Sequence, residues 1–122
     1  MNYYMTTTGV KWSQATIDRK LREVYAQADE VDHYICECCG KYPPDHHDHT
    51  ISRKRCKELG KADLIIDRKN WSYSCALCHG QWESYKSSLF THHRNYIIRM
   101  EYLKEHDPGG YEKRKNFIIS HT

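Results

Sequence analysis

Long hydrophobic runs are missing from this chain. No stretch is long enough to cross a bilayer. Residues 1–12 lack the apolar core of about 7–15 residues that a secretory signal needs. The expectation is a chain that neither enters a membrane nor carries an export signal. Apolar residues are also few overall, at 39% of 122, and the mean hydropathy is −0.91. A polar chain of this size buries little and is expected to draw on a metal or another cross-link to stay folded. There is no internal repeat beyond two cysteine pairs and no low-complexity segment. Neither a helix-turn-helix nor a zinc-finger recognition helix can be found, which removes the common ways of reading bases in the major groove. No His-x-Glu precedes a Pro-Cys-x-x-Cys, so zinc deaminase chemistry is excluded.

What the chain does contain is tyrosine (ten copies), cysteine (six) and unevenly placed positive charge. The net charge is only +3. Residues 50–70 nevertheless hold seven Lys/Arg against three acids, and residues 84–122 hold seven against four. The first 35 residues are slightly acidic. Such a distribution suits a phosphate-binding surface, and an ordinary solvated face gives the same pattern. The length suits one domain over 1–122.

Four of the cysteines form two Cys-x-x-Cys units, Cys36/Cys39 and Cys75/Cys78. Two intervening residues let a tight turn aim both sulfurs at one ion, and two such pairs complete a tetrahedral zinc site. With no export signal, thiolates in a reducing cytoplasm are favoured over disulfides. Cys38 competes with Cys39, but only Cys39 leaves two residues between itself and Cys36. Cys56 reads as a small buried apolar residue. A zinc held by all four cysteines closes the 39–75 excursion into a loop and fixes the start of the helix that follows.

Residues 1–12 read as an irregular lead-in. Ser13 is a helix N-cap, and Ile17, Leu21, Val24, Tyr25 and Ala28 recur at helical spacing, which predicts a helix over 13–29 within an N-terminal region of 13–33. Residues 34–39 read as a strand ending in a zinc-knuckle turn at Gly40. Short strands are expected at 47–51 and 64–66, with a helix over 52–61 capped by Ser52. A helix over 75–90 is expected to bury Leu77, Trp82 and Leu89, with Tyr85 close by. Another over 92–105 is expected to bury Ile97, Met100 and Leu103. Asp107-Pro108-Gly109-Gly110 is a break, followed by a tail that is a last short helix or mobile.

Between and after the cysteine pairs lie Asp48-His49, Asn70 and His79, the last directly after Cys78, with Glu83 one helical turn further. The order Cys-x-x-Cys, Asp-His, Asn, Cys-x-x-Cys-His resembles the HNH endonucleases, and the Asn70-to-His79 run fits their usual spacing. The resemblance covers residues 34–90 and leaves 91–122 as a basic, helical extension. It implies an α+β fold: a ββα-metal finger, a short β-hairpin plus helix, stapled by a four-cysteine zinc site and flanked by N- and C-terminal helices. It also implies a metal-dependent DNA endonuclease of a small phage or bacterial type. His49 would be the general base. Asp48 and His79 would hold Mg²⁺, Mn²⁺ or another divalent transition ion, and Asn70 would fix the loop that carries His49. Glu83 stands where some members place a further His, and reads as a third cation ligand or as a surface acid. A rival register makes His47 the base and His49 a ligand, while His46 and His47 also suit an exposed loop. His92-His93 lies outside the motif and reads as surface or phosphate-contacting.

DNA would be gripped through counterion release by Arg53, Lys54, Arg55, Lys57, Arg94, Arg99 and Lys113-Arg114-Lys115. Low sequence specificity follows, unless a partner or dimer mate supplies it. The resemblance further implies a cytoplasmic setting in a bacterial or phage-infected cell, a monomer or homodimer, and association with a packaging terminase or other phage protein. The competing reading is a catalytically inactive, zinc-stabilised nucleic-acid-binding or protein-interaction module. Asp48, His49, Asn70 and His79 argue against it, because a scaffold needs only the cysteines.

Overall fold

Ser13 closes a small β-hairpin and opens the first helix. Strands β1 (Tyr3–Met5) and β2 (Lys11–Ser13) pair antiparallel, Tyr3 opposite Ser13, so the lead-in is not irregular. The turn between them uses Gly9 at φ +83° and is anchored by Thr7, whose N–H and hydroxyl both donate to the Asp63 carboxylate. The Ser13 hydroxyl accepts the Thr16 N–H at 3.2 Å and caps α1 (Gln14–Ala28). As expected, α1 buries Ile17 and Leu21. The computed structural model describes residues 2–84 and 88–121.

The second antiparallel pair is β3 (His46–His49) with β4 (Trp71–Ser74), in the register His46–Ser74, Asp48–Ser72 and His49–Trp71. The partner expected at 64–66 is instead a 3₁₀ turn, Ala62–Ile66. Leu64 and Ile65 are both buried there, which the alternating faces of a half-buried strand do not allow. Between the strands lie α2 (Arg53–Glu58), capped by Ser52 and closed at Gly60 with φ +70°, and a 3₁₀ turn at Arg68–Asn70. Residues 34–39 are a turn, not a strand. Their N–H groups are taken one by one: Cys36 by the Tyr42 carbonyl at 2.7 Å, Glu37 by the Tyr73 carbonyl at 2.8 Å, and Cys38 and Cys39 by the Cys36 sulfur.

Helix α3 (Ala76–Ser84) follows β4 directly. Its Trp82 is buried, but Leu77 is 61% exposed, because Cys75 and Cys78 on either side of it turn inward. A 3₁₀ turn, Ser88–His92, follows with Leu89 exposed and Phe90 buried; Tyr85 lies outside the described residues. Helix α4 (Tyr96–His106) buries Arg99, Met100, Tyr102 and Leu103 and leaves Ile97 67% exposed, a rotation from the expected face. The tail is α5 (Pro108–Ser120), capped by Asp107 with Pro108 in its first turn.

Among the described residues the fold is mixed α+β: five α-helices and two small antiparallel strand pairs. One apolar cluster joins α1, α2, the 62–66 turn, Trp82, Phe90 and α4. The other cluster is made of cysteines alone. No helix is long and apolar enough to cross a membrane.

Candidate functional site

The Cys36–Cys39 turn and the β4–α3 junction bring four sulfurs together. Cys36, Cys39, Cys75 and Cys78 present them all within 4.8 Å of one another. Zinc thiolate bonds of about 2.3 Å at tetrahedral angles separate sulfurs by about 3.8 Å, and Cys39 and Cys75 stand 3.9 Å apart. The donor set therefore fits a metal such as zinc. Backbone N–H groups converge on two of the sulfurs: Cys38, Cys39 and Cys75 donate to Cys36, and Lys41 donates to Cys39. Burial pulls the Cys39 thiol up, but the N–H groups of Lys41 and Tyr42 outweigh it and bring it down to about 6. Cys38 is outside the cage. Burial pushes its thiol up to about 12, and its sulfur faces Arg99. Cys56 is fully buried on α2, its thiol also pushed up to about 12 by burial.

Cys78 leads directly to His79 on the first turn of α3, beside β3. Strand alternation points Asp48 toward α3, where it is 1% exposed. The Asp48 Oδ1 meets His79 Nδ1 at 2.9 Å. Its Oδ2 accepts from the Ser74 hydroxyl and from Arg99, each at 3.0 Å. The other His79 nitrogen, Nε2, meets Glu83 Oε2 at 3.0 Å. Glu83 and Asp48 thus flank opposite edges of one imidazole. The ring of His46 stacks on that of His79 with centroids 4.6 Å apart.

His49 points away from Asp48, as neighbours in a strand must. Its Nε2 donates to the Ile65 carbonyl at 2.9 Å. That bond selects the tautomer with the proton on Nε2 and the lone pair on Nδ1. Burial lowers the His49 pKa; the Ile65 carbonyl raises it in part, and the charges of Arg53 and Arg99 lower it further against Asp48. The carbonyl is available because 62–66 is a turn, whereas a strand spends its carbonyls in the ladder. Asn70, fully buried, bonds to both backbone groups of Ile51 (2.8 and 3.1 Å) and to the Leu64 carbonyl at 2.9 Å, and its own carbonyl accepts from Thr50 at 2.6 Å. It ties the strand end after His49 to the turn that holds the His49 ring. His47, which lines the same cleft as Asp48 and His49, stacks on Tyr25 at 3.8 Å and meets Asp29 at 3.0 Å.

Asp48, His49 and His79 all line one cleft of about 610 Å³, together with Arg53, Glu83 and Lys113. The predicted basic residues divide. Arg53, Lys54, Lys113 and Lys115 are exposed. Arg94 is also exposed, with its guanidinium against Gly40, at φ +68°, where a Cβ would collide with it. Arg55 forms a bidentate pair with Asp107 at 2.9 and 3.0 Å, and Lys57 is turned to Gln14 and the Tyr4 ring. Two assignments are corrected. Arg99 is 3% exposed, and Arg114, in the wall of the cleft, is buried against Trp82 with a hydrogen bond of 2.8 Å to the Trp82 carbonyl; neither belongs to the exposed basic surface. His93 is buried too and bonds Gln81 at 2.8 Å. Ser74, Arg99 and the Ile65 carbonyl were not visible as site groups in the sequence. Only the Ser-x-Ser of Trp71–Ser74, an aromatic/polar alternation, signalled the strand that carries Ser74. The chain matches no family model, no curated protein and no solved structure.

Proposed function

We propose that this protein is a metal-dependent DNA endonuclease of the HNH kind its motif resembles, with β3, β4 and α3 as the ββα-metal finger and the cysteine cage as its structural zinc site. The observation that carries the reading is the common cleft: a tautomer-fixed imidazole and a carboxylate–imidazole pair open onto the same space. The separation of Asp48 Oδ1 and His79 Nδ1, 2.9 Å, matches the roughly 3.0 Å between adjacent ligands of an octahedral ion at about 2.1 Å. Glu83 on the far nitrogen of His79 supplies the carboxylate that a metal-bound histidine ordinarily has behind it.

The residues divide the work as follows. His49 takes a proton from the attacking water at Nδ1, while the Ile65 carbonyl stabilises the charge that develops on its ring. Asp48 and His79 would hold the divalent cation, which supplies Lewis-acid charge to the phosphate and to the leaving 3′ oxygen when bound. Arg53 and Lys113 at the cleft, with Lys54, Arg94 and Lys115 around it, bind the phosphate backbone without reading sequence. The family pattern implies 5′-phosphate and 3′-hydroxyl ends.

The test is supercoiled plasmid with Mg²⁺ or Mn²⁺. Nicked or linear product is expected, abolished by EDTA, and about 10²–10⁴-fold slower in His49→Ala, the range for loss of a general base. Wild-type rates in His49→Ala remove its assigned role. DNA binding without any cleavage by the wild type favours the inactive binding module instead.

A further inference from the structure

We propose that Arg99 is a positioning residue of this site, holding the Asp48 carboxylate and the β3 backbone so that Asp48 Oδ1 alone is turned toward His79 and a divalent cation. The proposal rests on the reading above and adds a residue to which the sequence motif assigns no such task. Arg99 lies on α4, well outside the cysteine and histidine pattern, and is almost fully buried. Its planar fork reaches three successive residues. Nε donates to the Thr50 hydroxyl at 2.9 Å, one terminal nitrogen to Asp48 Oδ2 at 3.0 Å, and the other to the His49 carbonyl at 3.1 Å. The guanidinium carbon lies 3.9 Å from the Trp82 ring, whose Nε1 donates to the Thr50 carbonyl.

With Ser74 also donating to it, Oδ2 has two donors. Oδ1 is left facing His79. Neither a lysine nor a neutral side chain reproduces this, because only a guanidinium has donors in a fixed fork. The nitrogen that meets Asp48 also meets the Cys38 sulfur at 3.8 Å, so the same group links the loop between the first two cage cysteines to the carboxylate.

The experiment titrates zinc-loaded protein with Mn²⁺, reading free Mn²⁺ by electron paramagnetic resonance, with circular dichroism as the control for folding. Wild type is expected to bind a Mn²⁺ ion that Asp48→Asn does not bind. Arg99→Lys, which keeps the charge and loses the fork, is expected to bind it about 10–100-fold more weakly, the range for removing a group behind a metal ligand. Plasmid nicking should then recover at high Mn²⁺. A lesion that merely lowers the amount of folded protein does not move the midpoint. If Arg99→Lys fails to fold, Thr50→Val, which removes one acceptor and no charge, should weaken Mn²⁺ binding in the same direction. Wild-type affinity in a folded Arg99→Lys, or in Thr50→Val when Arg99→Lys cannot fold, overturns the proposal while the site reading stands. Equal Mn²⁺ binding by wild type and Asp48→Asn overturns both.

Discussion

Asn70 has no chemistry of its own, yet more of the candidate site hangs on it than on any other neutral side chain. Its amide satisfies the N–H and carbonyl of Ile51 and the carbonyl of Leu64, all away from water. Asn70→Ala leaves the Ile51 N–H without its partner, while the Ile51 and Leu64 carbonyls keep the Cys56 thiol and the Asp67 N–H; one unsatisfied buried group costs about 1–3 kcal/mol. A loss of about 1–3 kcal/mol in urea denaturation is the expected outcome, with the midpoint rather than the slope moving. Asn70, Asp48, His49 and His79 were legible in the sequence because spacing around cysteines constrains where they fall. Arg99 was not. Nothing in a linear string distinguishes an arginine that pairs with a buried carboxylate from one that faces solvent; that choice is made by the elements packed around it.

At the scale of elements, Asp107-Pro108-Gly109-Gly110 shows how one local signal serves two ends. It breaks the chain after α4, as the sequence indicates, and also starts α5. Asp107 accepts the Gly110 N–H at 3.1 Å and pairs with Arg55 on α2. Burial alone raises the Asp107 pKa, but the Arg55 hydrogen bonds and the Gly110 N–H outweigh it and hold the carboxyl below its ordinary value. A carboxyl depressed in the folded state contributes stability that is full above its unfolded pKa of about 3.9 and lost as pH falls through the folded value. Asp107→Asn should therefore unfold more easily than wild type at neutral pH, and the gap should close below about pH 4. A constant gap across an acid titration of thermal stability would mean that the Asp107 charge contributes nothing. Other elements were less legible. The apolar run 64–66 is too short for periodicity to tell a strand from a turn, and tertiary bonds to Thr7, His49 and Asn70 decide for the turn.

For the whole molecule, the buried residues fall into an apolar cluster and a separate cluster of cysteines. The β3–β4 pair has only four residues in each strand, too little for independent stability. The cage ties the 36–39 turn to the end of β4 and the start of α3, so binding free energy at the four sulfurs is also folding free energy. One zinc per chain is expected by metal analysis. Removing it with a strong chelator, or substituting Cys75→Ser, should melt the β3–β4 pair and α3 and abolish the His79–Asp48 contact. A Cys75→Ser protein with wild-type circular dichroism and thermal midpoint excludes a shared cage.

By itself the sequence determined the cysteine spacing and the helix caps at Ser13 and Ser52, because these depend on residue type and on separations of a few positions; it singled out Asp48, His49, Asn70 and His79 only through the resemblance of their order to a known motif. Tertiary structure alone decided that His49 hangs from the Ile65 carbonyl and that Arg99 and Arg114 are buried. Those outcomes depend on contacts between residues up to 61 positions apart, where burial and the need to satisfy every enclosed polar group, rather than local preference, choose the partner.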